Sequence, residues 1–238
     1  MVSRSFIGMV LIIPLILSAC ILPGMPTMDP LPSATATVPL TKIVPTVTPN
    51  PTSDPSAPLI SKGMEYHDAF DYLAALEQFD QAIALNPNSY DAYFQRGRVL
   101  TDVQDYLGAL ADFEMALAID PTRAEAFNGR GVVRTKLGDY EIALQDFGLA
   151  VIIKPDYSEA YSNRGITYVH LQDVDMGMAN FMRALELDPT NVDAYYNRAL
   201  AYRILGDNRA ADDFRKVLEL SGDPEIRRVA ADYLQAQE

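Results

Sequence analysis

Residues 90–123 read YDAYFQRGRVLTDVQDYLGALADFEMALAIDPTR, and residues 124–157 read AEAFNGRGVVRTKLGDYEIALQDFGLAVIIKPDY. Set one above the other, they keep Ala92 over Ala126, Gly97 over Gly131, Ala109 over Ala143, Phe113 over Phe147 and Pro121 over Pro155. The offset of 34 residues recurs: Pro87, Pro121, Pro155 and Pro189 step by it, and Pro224 follows one residue late. Copies of the unit run over about 56–89, 90–123, 124–157, 158–191 and a shortened 192–223. Self-similarity at this period signals stacked supersecondary units, each burying its apolar face against the next.

With Ser56 as position 1, each position has a mechanical reason. Position 4 is Leu59, Tyr93, Phe127, Tyr161 and Tyr195, and position 24 is Phe79, Phe113, Phe147 and Phe181, with Phe214 in that role in the shortened copy. Position 8 is Gly63, Gly97, Gly131, Gly165 and Ala199, while positions 20 and 27 are alanine or glycine through the first four copies. Small residues let two helices approach closely, and the large ones fill the space between turns. The proline ends the second helix, because it lacks an amide donor and clashes with the preceding turn. Beyond it, Asn88 with Asp91, Thr122 with Glu125, Asp156 with Glu159 and Thr190 with Asp193 predict capping boxes for the first helices. Asp71, Asp105, Asp139, Asp173 and Asp207, all at position 16, predict caps for the second helices.

This pattern resembles the tetratricopeptide repeat, a helix–turn–helix of 34 residues. The resemblance implies an all-α fold, a right-handed superhelical solenoid of five hairpins over 58–223. It departs from the family pattern at position 7, which carries Lys62, Arg96, Arg130, Arg164 and Arg198 instead of leucine. A cation kept in every unit serves the unit, through packing or pairing between repeats. Residues 224–238 follow with Ile226, Val229, Ala230 and Leu234 on one helical face, the pattern of the capping helix that an open stack requires.

The chain carries a net charge of −13, with 19 basic against 32 acidic side chains. Such a balance repels phosphate backbones, so no nucleic-acid partner is expected. The single cysteine, Cys20, excludes an intramolecular disulfide and thiolate metal clusters. Two histidines, His67 and His170, stand 103 residues apart, and neither a phosphate loop nor a nucleophile elbow is present. No cofactor, no metal and no catalytic activity are expected.

The first nineteen residues form a secretory signal: Arg4, an apolar run from Phe6 to Leu17, then Ser18 and Ala19. Leu17-Ser18-Ala19-Cys20 resembles the lipobox of bacterial lipoproteins at every position. That resemblance implies cleavage before Cys20 and lipidation of its thiol, hence an extracytoplasmic chain anchored to the bacterial cell membrane. Several acyl chains give lasting attachment where one would not. From Cys20 to about residue 57 lies a Pro/Thr-rich linker, with ten prolines and seven threonines between residues 21 and 58. Such a segment cannot bury a core. As polyproline II it would reach at most about 120 Å.

In the tetratricopeptide family the concave face is lined by the first helix of each hairpin. The resemblance therefore assigns Phe94, Gln95, Arg98, Asn128, Lys136, Asn163, His170, Tyr196 and Asn197 to a groove for a protein or peptide partner. Amides suit an extended backbone because each offers a donor and an acceptor. The carboxylate clamp of chaperone-binding members does not fit, since Asp91, Glu125, Glu159 and Asp193 stand where the clamp needs lysine. The expected function is a membrane-anchored scaffold of the cell envelope. Two alternatives stand beside it: a glycan- or small-ligand-binding module, and a self-associating structural protein forming a homo-oligomer.

Overall fold

The computed structural model describes residues 54–237. The signal segment, Cys20 and the linker as far as residue 53 lie outside the described residues. Within them the chain forms α-helices joined by short turns. Five hairpins follow one another: α1 (Ala57–Asp68) with α2 (Tyr72–Leu85), α3 (Tyr90–Asp102) with α4 (Tyr106–Ile119), and α5 (Ala124–Leu137) with α6 (Tyr140–Ile153). Then come α7 (Ser158–His170) with α8 (Val174–Leu187), and α9 (Val192–Ile204) with α10 (Ala210–Leu220). The last helix, α11 (Pro224–Gln235), packs on α10.

Each helix packs on its neighbours in sequence, so the fold is an all-α repeat stack. Phe79, Phe113, Phe147, Phe181 and Phe214 are all essentially fully buried, one per hairpin. Their rings explain position 8. A Cβ added at Gly63 or Gly165 would lie 2.6 Å from Phe79 or Phe181 Cε1, and one at Gly131 would lie 2.8 Å from Phe147 Cε1. At the far end Phe214 packs with Tyr196, Ile226 and Ala230, and Tyr233 of α11 comes within 4.7 Å of its ring centroid. Asp223 caps α11 by accepting from the amides of Glu225 and Ile226.

The first-helix caps sit one residue later than the sequence spacing implied. Ser89, Arg123, Tyr157 and Asn191 are the N-cap residues, and only Ser89 and Asn191 accept an amide, from Ala92 and Ala194. Thr122 and Thr190 turn the other way. Each donates its amide and its hydroxyl to Asp120 or Asp188, two residues back across the proline. A carboxylate before the proline competes for the hydroxyl that would otherwise cap, and holds it in a turn. On the second helices, Asp71, Asp105 and Asp173 cap as expected, at 3.1 Å from the third following amide. Asp139 stands at the N-cap without a side-chain bond. In the shortened copy Asp207 binds Arg209 instead, through its amide and guanidinium.

Position 7 pairs across its own hairpin. Arg96 forks onto Asp112 (2.7 and 2.6 Å), Arg130 onto Asp146 (3.0 and 2.7 Å), and Arg198 onto Asp213 (both 2.7 Å). Arg164 makes the corresponding single bond to Asn180, at 2.7 Å. Among the described residues at this position, Arg96 alone adds a bond to the neighbouring repeat, at Asp80. The expected pairing between repeats is thus chiefly pairing within them. Burial pushes the Asp112 carboxyl up while its bond to Arg96 pulls it down; that same bond holds the guanidinium above its ordinary value. The fork geometry favours the ion pair.

Candidate functional site, the inner helical face

The first helices of successive hairpins also touch one another: α1 with α3, α3 with α5, α5 with α7, and α7 with α9. The second helices do not come as near to each other, so the stack curves with the first helices inside. That inner face carries positions 2, 5, 6, 9 and 13.

Its centre lies on α3, α5 and α7. Arg98 is exposed and donates to Gln95 Oε1 at 2.9 Å. One helix along, Asn163 Nδ2 donates to Asn128 Oδ1 at 3.1 Å, and Asn128 also bonds the Tyr157 hydroxyl. Arg98 acts on that hydroxyl through its charge. Gln95, Asn128 and Asn163 are all half-buried, so each amide keeps some capacity for a partner. Lys136 and His170 lie further along the same face. Burial lowers the Lys136 ammonium from its ordinary value. Burial, and then the Lys136 charge, lowers the His170 imidazole, which stacks on Tyr140 at 5.1 Å with the rings 6° apart.

The remaining residues assigned to the groove lie deeper. Phe94 stacks on Tyr90 at 5.6 Å and tilts against Phe113 at 5.9 Å. Tyr196 is buried, edge-on to Phe214, and burial pushes its hydroxyl up. Asn197 is buried as well; its Nδ2 donates to the Asp193 carbonyl, while its Oδ1 has no hydrogen-bond partner within the described residues. Phe94 and Tyr196, the aromatics a saccharide would stack on, are therefore engaged by Tyr90 and Phe214.

Two residues outside the sequence assignment belong to the face, and Asp102, which position 13 places there, is tied to the preceding hairpin. Tyr157 reaches it from the turn before α7 and Tyr140 from the start of α6. Asp102, at position 13, accepts from or pairs with His67 of the preceding hairpin at 2.6 Å. Tyr157 and Tyr140 belong to turn and second-helix positions, which a count along the first helix alone does not reach. The His67–Asp102 and Asn128–Asn163 pairs are both 35 residues apart, one more than the repeat. That offset is the sequence signal by which such ties could have been found.

Models of the tetratricopeptide repeat match residues 62–124, 158–191 and 180–213. Comparison with curated proteins finds no match. Among solved structures, the chain is similar to TTC0263, a thermophilic TPR protein of Thermus thermophilus, at 23% identity and a TM-score of 0.69, covering 76% of this chain and 99% of that one. It is similar to PilW, described as a widely conserved type IV pilus biogenesis factor, at 24% identity and a TM-score of 0.64, over 69% and 76% of the two chains. A third is YrrB, described as a TPR protein with an unusual peptide-binding site, at 24% identity and a TM-score of 0.53, over 75% and 93%.

Proposed function

The chain belongs to the tetratricopeptide repeat family, and from that premise we propose that it is a protein–protein interaction scaffold held on the outer side of a bacterial membrane. One observation carries the reading: amides from successive helices line up along the inner face beside the exposed Arg98 guanidinium. Such a row meets an extended peptide backbone, whose donors and acceptors alternate along its length. The peptide-binding site in the description of YrrB supports a partner of that kind. A chain this acidic gains further from a partner with basic character at its rim.

The address rests on the sequence from Met1 to Cys20. Among the described residues no helix is long and apolar enough to cross a membrane. Attachment in this reading is by lipid on Cys20, as the lipobox-like Leu17-Ser18-Ala19-Cys20 implies, with the Pro/Thr-rich segment as tether. Cys20→Ser should release the chain from the membrane or leave its signal uncut. Palmitate labelling that persists in that variant would refute the anchor.

Crosslinking in intact cells tests the groove. Wild type should yield partner adducts that Arg98→Ala/Asn163→Ala loses, with the same helical content by circular dichroism. An unchanged set of adducts in the variant would remove the inner face as the binding surface.

A further inference from the structure

Asn128 and Asn163 tie α5 to α7 through positions 5 and 6 of successive copies. At the next junction the same two positions are Ser162 on α7 and Asn197 on α9. Serine ends one bond short of the asparagine it replaces, and the tie is not made. Ser162 Oγ and Asn197 Oδ1 are both buried without a hydrogen-bond partner within the described residues. The two residues are 2% and 3% exposed, and Asn197 is held by its Nδ2, which donates to the Asp193 carbonyl one turn back. The helices are not splayed at this junction, since Asn191 Nδ2 donates to Ser158 Oγ at 2.7 Å at their starts. A buried polar atom left unsatisfied costs about 1–3 kcal/mol, so these two oxygens ask for a donor.

The charge about them is negative. Glu159 and Asp193, at position 2 of α7 and α9, stand one turn before Ser162 and Asn197 on the same helical faces. Between the earlier hairpins such acids are balanced: Arg123 lies 3.9 Å from Asp91 and 3.8 Å from Glu125, and Lys154 lies 3.7 Å from Glu125. In the fourth copy the residues equivalent to Arg123 and Lys154 are Asn191 and Asp188, an amide and a further acid. The other cations of the inner face stand off. Arg98 acts through its charge on the Tyr157 hydroxyl, which bonds Asn128 of α5. Arg203 follows Asn197 by six residues, and His170, with Lys136 beside it, follows Ser162 by eight. Those separations are about 9 and 12 Å along the helices.

We propose that the α7–α9 junction receives a lysine side chain of the bound partner; this rests on the inner face being the partner's groove. An ammonium is compact and carries three donors and no acceptor. Two of its N–H groups satisfy Ser162 Oγ and Asn197 Oδ1, while Glu159 and Asp193 balance its charge. A glutamine in its place brings donors without the charge, and a glutamate meets two acids. A backbone N–H brings one donor for two oxygens. The extended segment that lies on the amides of α3, α5 and α7 therefore carries its lysine at the end that crosses to α9.

The test uses the full chain in detergent and fluorescein-labelled, capped heptapeptides of alanine and serine with a central lysine, glutamine or glutamate. Fluorescence anisotropy should show the lysine peptide binding at least about tenfold more tightly than the other two. Glu159→Gln, a change at an exposed residue, should reduce that preference by about threefold or more. Ser162→Asn copies the residue of the third hairpin, so it should make the missing tie, raise the urea midpoint and cut the preference by about tenfold. If asparagine does not fit there and the variant fails to fold, Glu159→Gln still decides. Arg98→Ala/Asn163→Ala should weaken all three peptides alike and leave the preference in place. Equal binding of the three peptides, lost in Arg98→Ala/Asn163→Ala, overturns the lysine subsite and keeps the groove. A lysine preference that falls in Glu159→Gln supports the subsite even where Arg98→Ala/Asn163→Ala changes nothing, an outcome that removes the amide row alone. The proposal is overturned too if the lysine peptide does not bind, or if its preference is the same in Glu159→Gln as in wild type.

Discussion

Arg130 and Asp146 meet across the α5–α6 hairpin as a two-pronged pair, Nε 3.0 Å from Oδ2 and Nη2 2.7 Å from Oδ1. Arg134 adds a third donor to Oδ2 at 2.7 Å. The carboxylate is almost wholly enclosed, so its charge is held by three hydrogen bonds in place of water. A planar guanidinium suits this role because its two parallel donors match both oxygens at once.

Removing one member should therefore cost more than the pair contributes. Asp146→Ala leaves two guanidinium groups short of their acceptor inside the hairpin, and is expected to lower stability by about 3 kcal/mol. Asp146→Asn recreates the Arg164–Asn180 arrangement of the fourth copy and should cost about 1 kcal/mol. Urea midpoints followed by circular dichroism order the two variants; equal losses would mean that the charge accounts for the whole effect and the retained amide acceptor contributes nothing.

Position 15 gives a stabilising prediction. Phe70, Gln104, Gly138, Gln172 and Gly206 occupy it, with φ of 61°, 65°, 89°, 64° and 68°. Left-handed backbone costs an L-residue about 1–2 kcal/mol, offset in part by the greater entropy glycine loses on folding. Gln104→Gly and Gln172→Gly should each raise stability by about 0.5–1 kcal/mol. Gly138→Ala should lower it by about 1 kcal/mol. Thermal melts of the three variants would show the opposite signs.

Glycine at position 8 is a matter of space. A methyl at Gly165 would press on the Phe181 ring and lie 3.1 Å from the Gly177 carbonyl oxygen. Gly165→Ala should cost about 1–3 kcal/mol through overpacking. Adding Phe181→Leu should recover part of that loss in a double-mutant cycle. Strict additivity would show that the two residues do not share the strain.

The imidazole of His170 supplies a pH dependence. Burial, helped by Lys136, holds its folded pKa below the ordinary value of about 6.5. The unfolded chain then takes up the proton more readily than the folded one. Stability linked to neutral His170 is complete above about pH 6.5 and is lost as pH falls through the folded value. His170→Gln should flatten that part of the profile. Unfolding midpoints at pH 7.5 and 5.5 that change equally in both proteins would remove His170 as the cause.

The hairpins were legible because their signals are redundant. Phe113 packs closely over Gly97, and the same large and small pair recurs in the next copies, so one misread residue could not shift the period. The capping register was not legible. Thr122 looks like a cap in sequence, but Asp120 is close enough to claim its hydroxyl, and that contest is settled only by geometry. The left-handed turn was hidden because three of its five residues are not glycine. On the inner face, counting along a helix located Asn128 and Asn163 but could not foresee that α10 and α11 bury Tyr196 and its neighbours.

The ties on the inner face also set how the array responds to a pull. His67 joins Asp102 between α1 and α3; Asn128 joins Asn163, and Thr135 joins Thr167, between α5 and α7. Between α7 and α9, the corresponding atoms Ser162 Oγ and Asn197 Oδ1 are unpaired within the described residues. Helical contacts reach only near neighbours, so each junction deforms by itself, like one coil of a spring. Between α7 and α9 the tie is instead at the helix starts, where Asn191 Nδ2 donates to Ser158 Oγ at 2.7 Å. The α5–α7 junction, with two ties along the inner face, is then the stiffest coil, and a load applied across the array should open the curve last between the third and fourth hairpins.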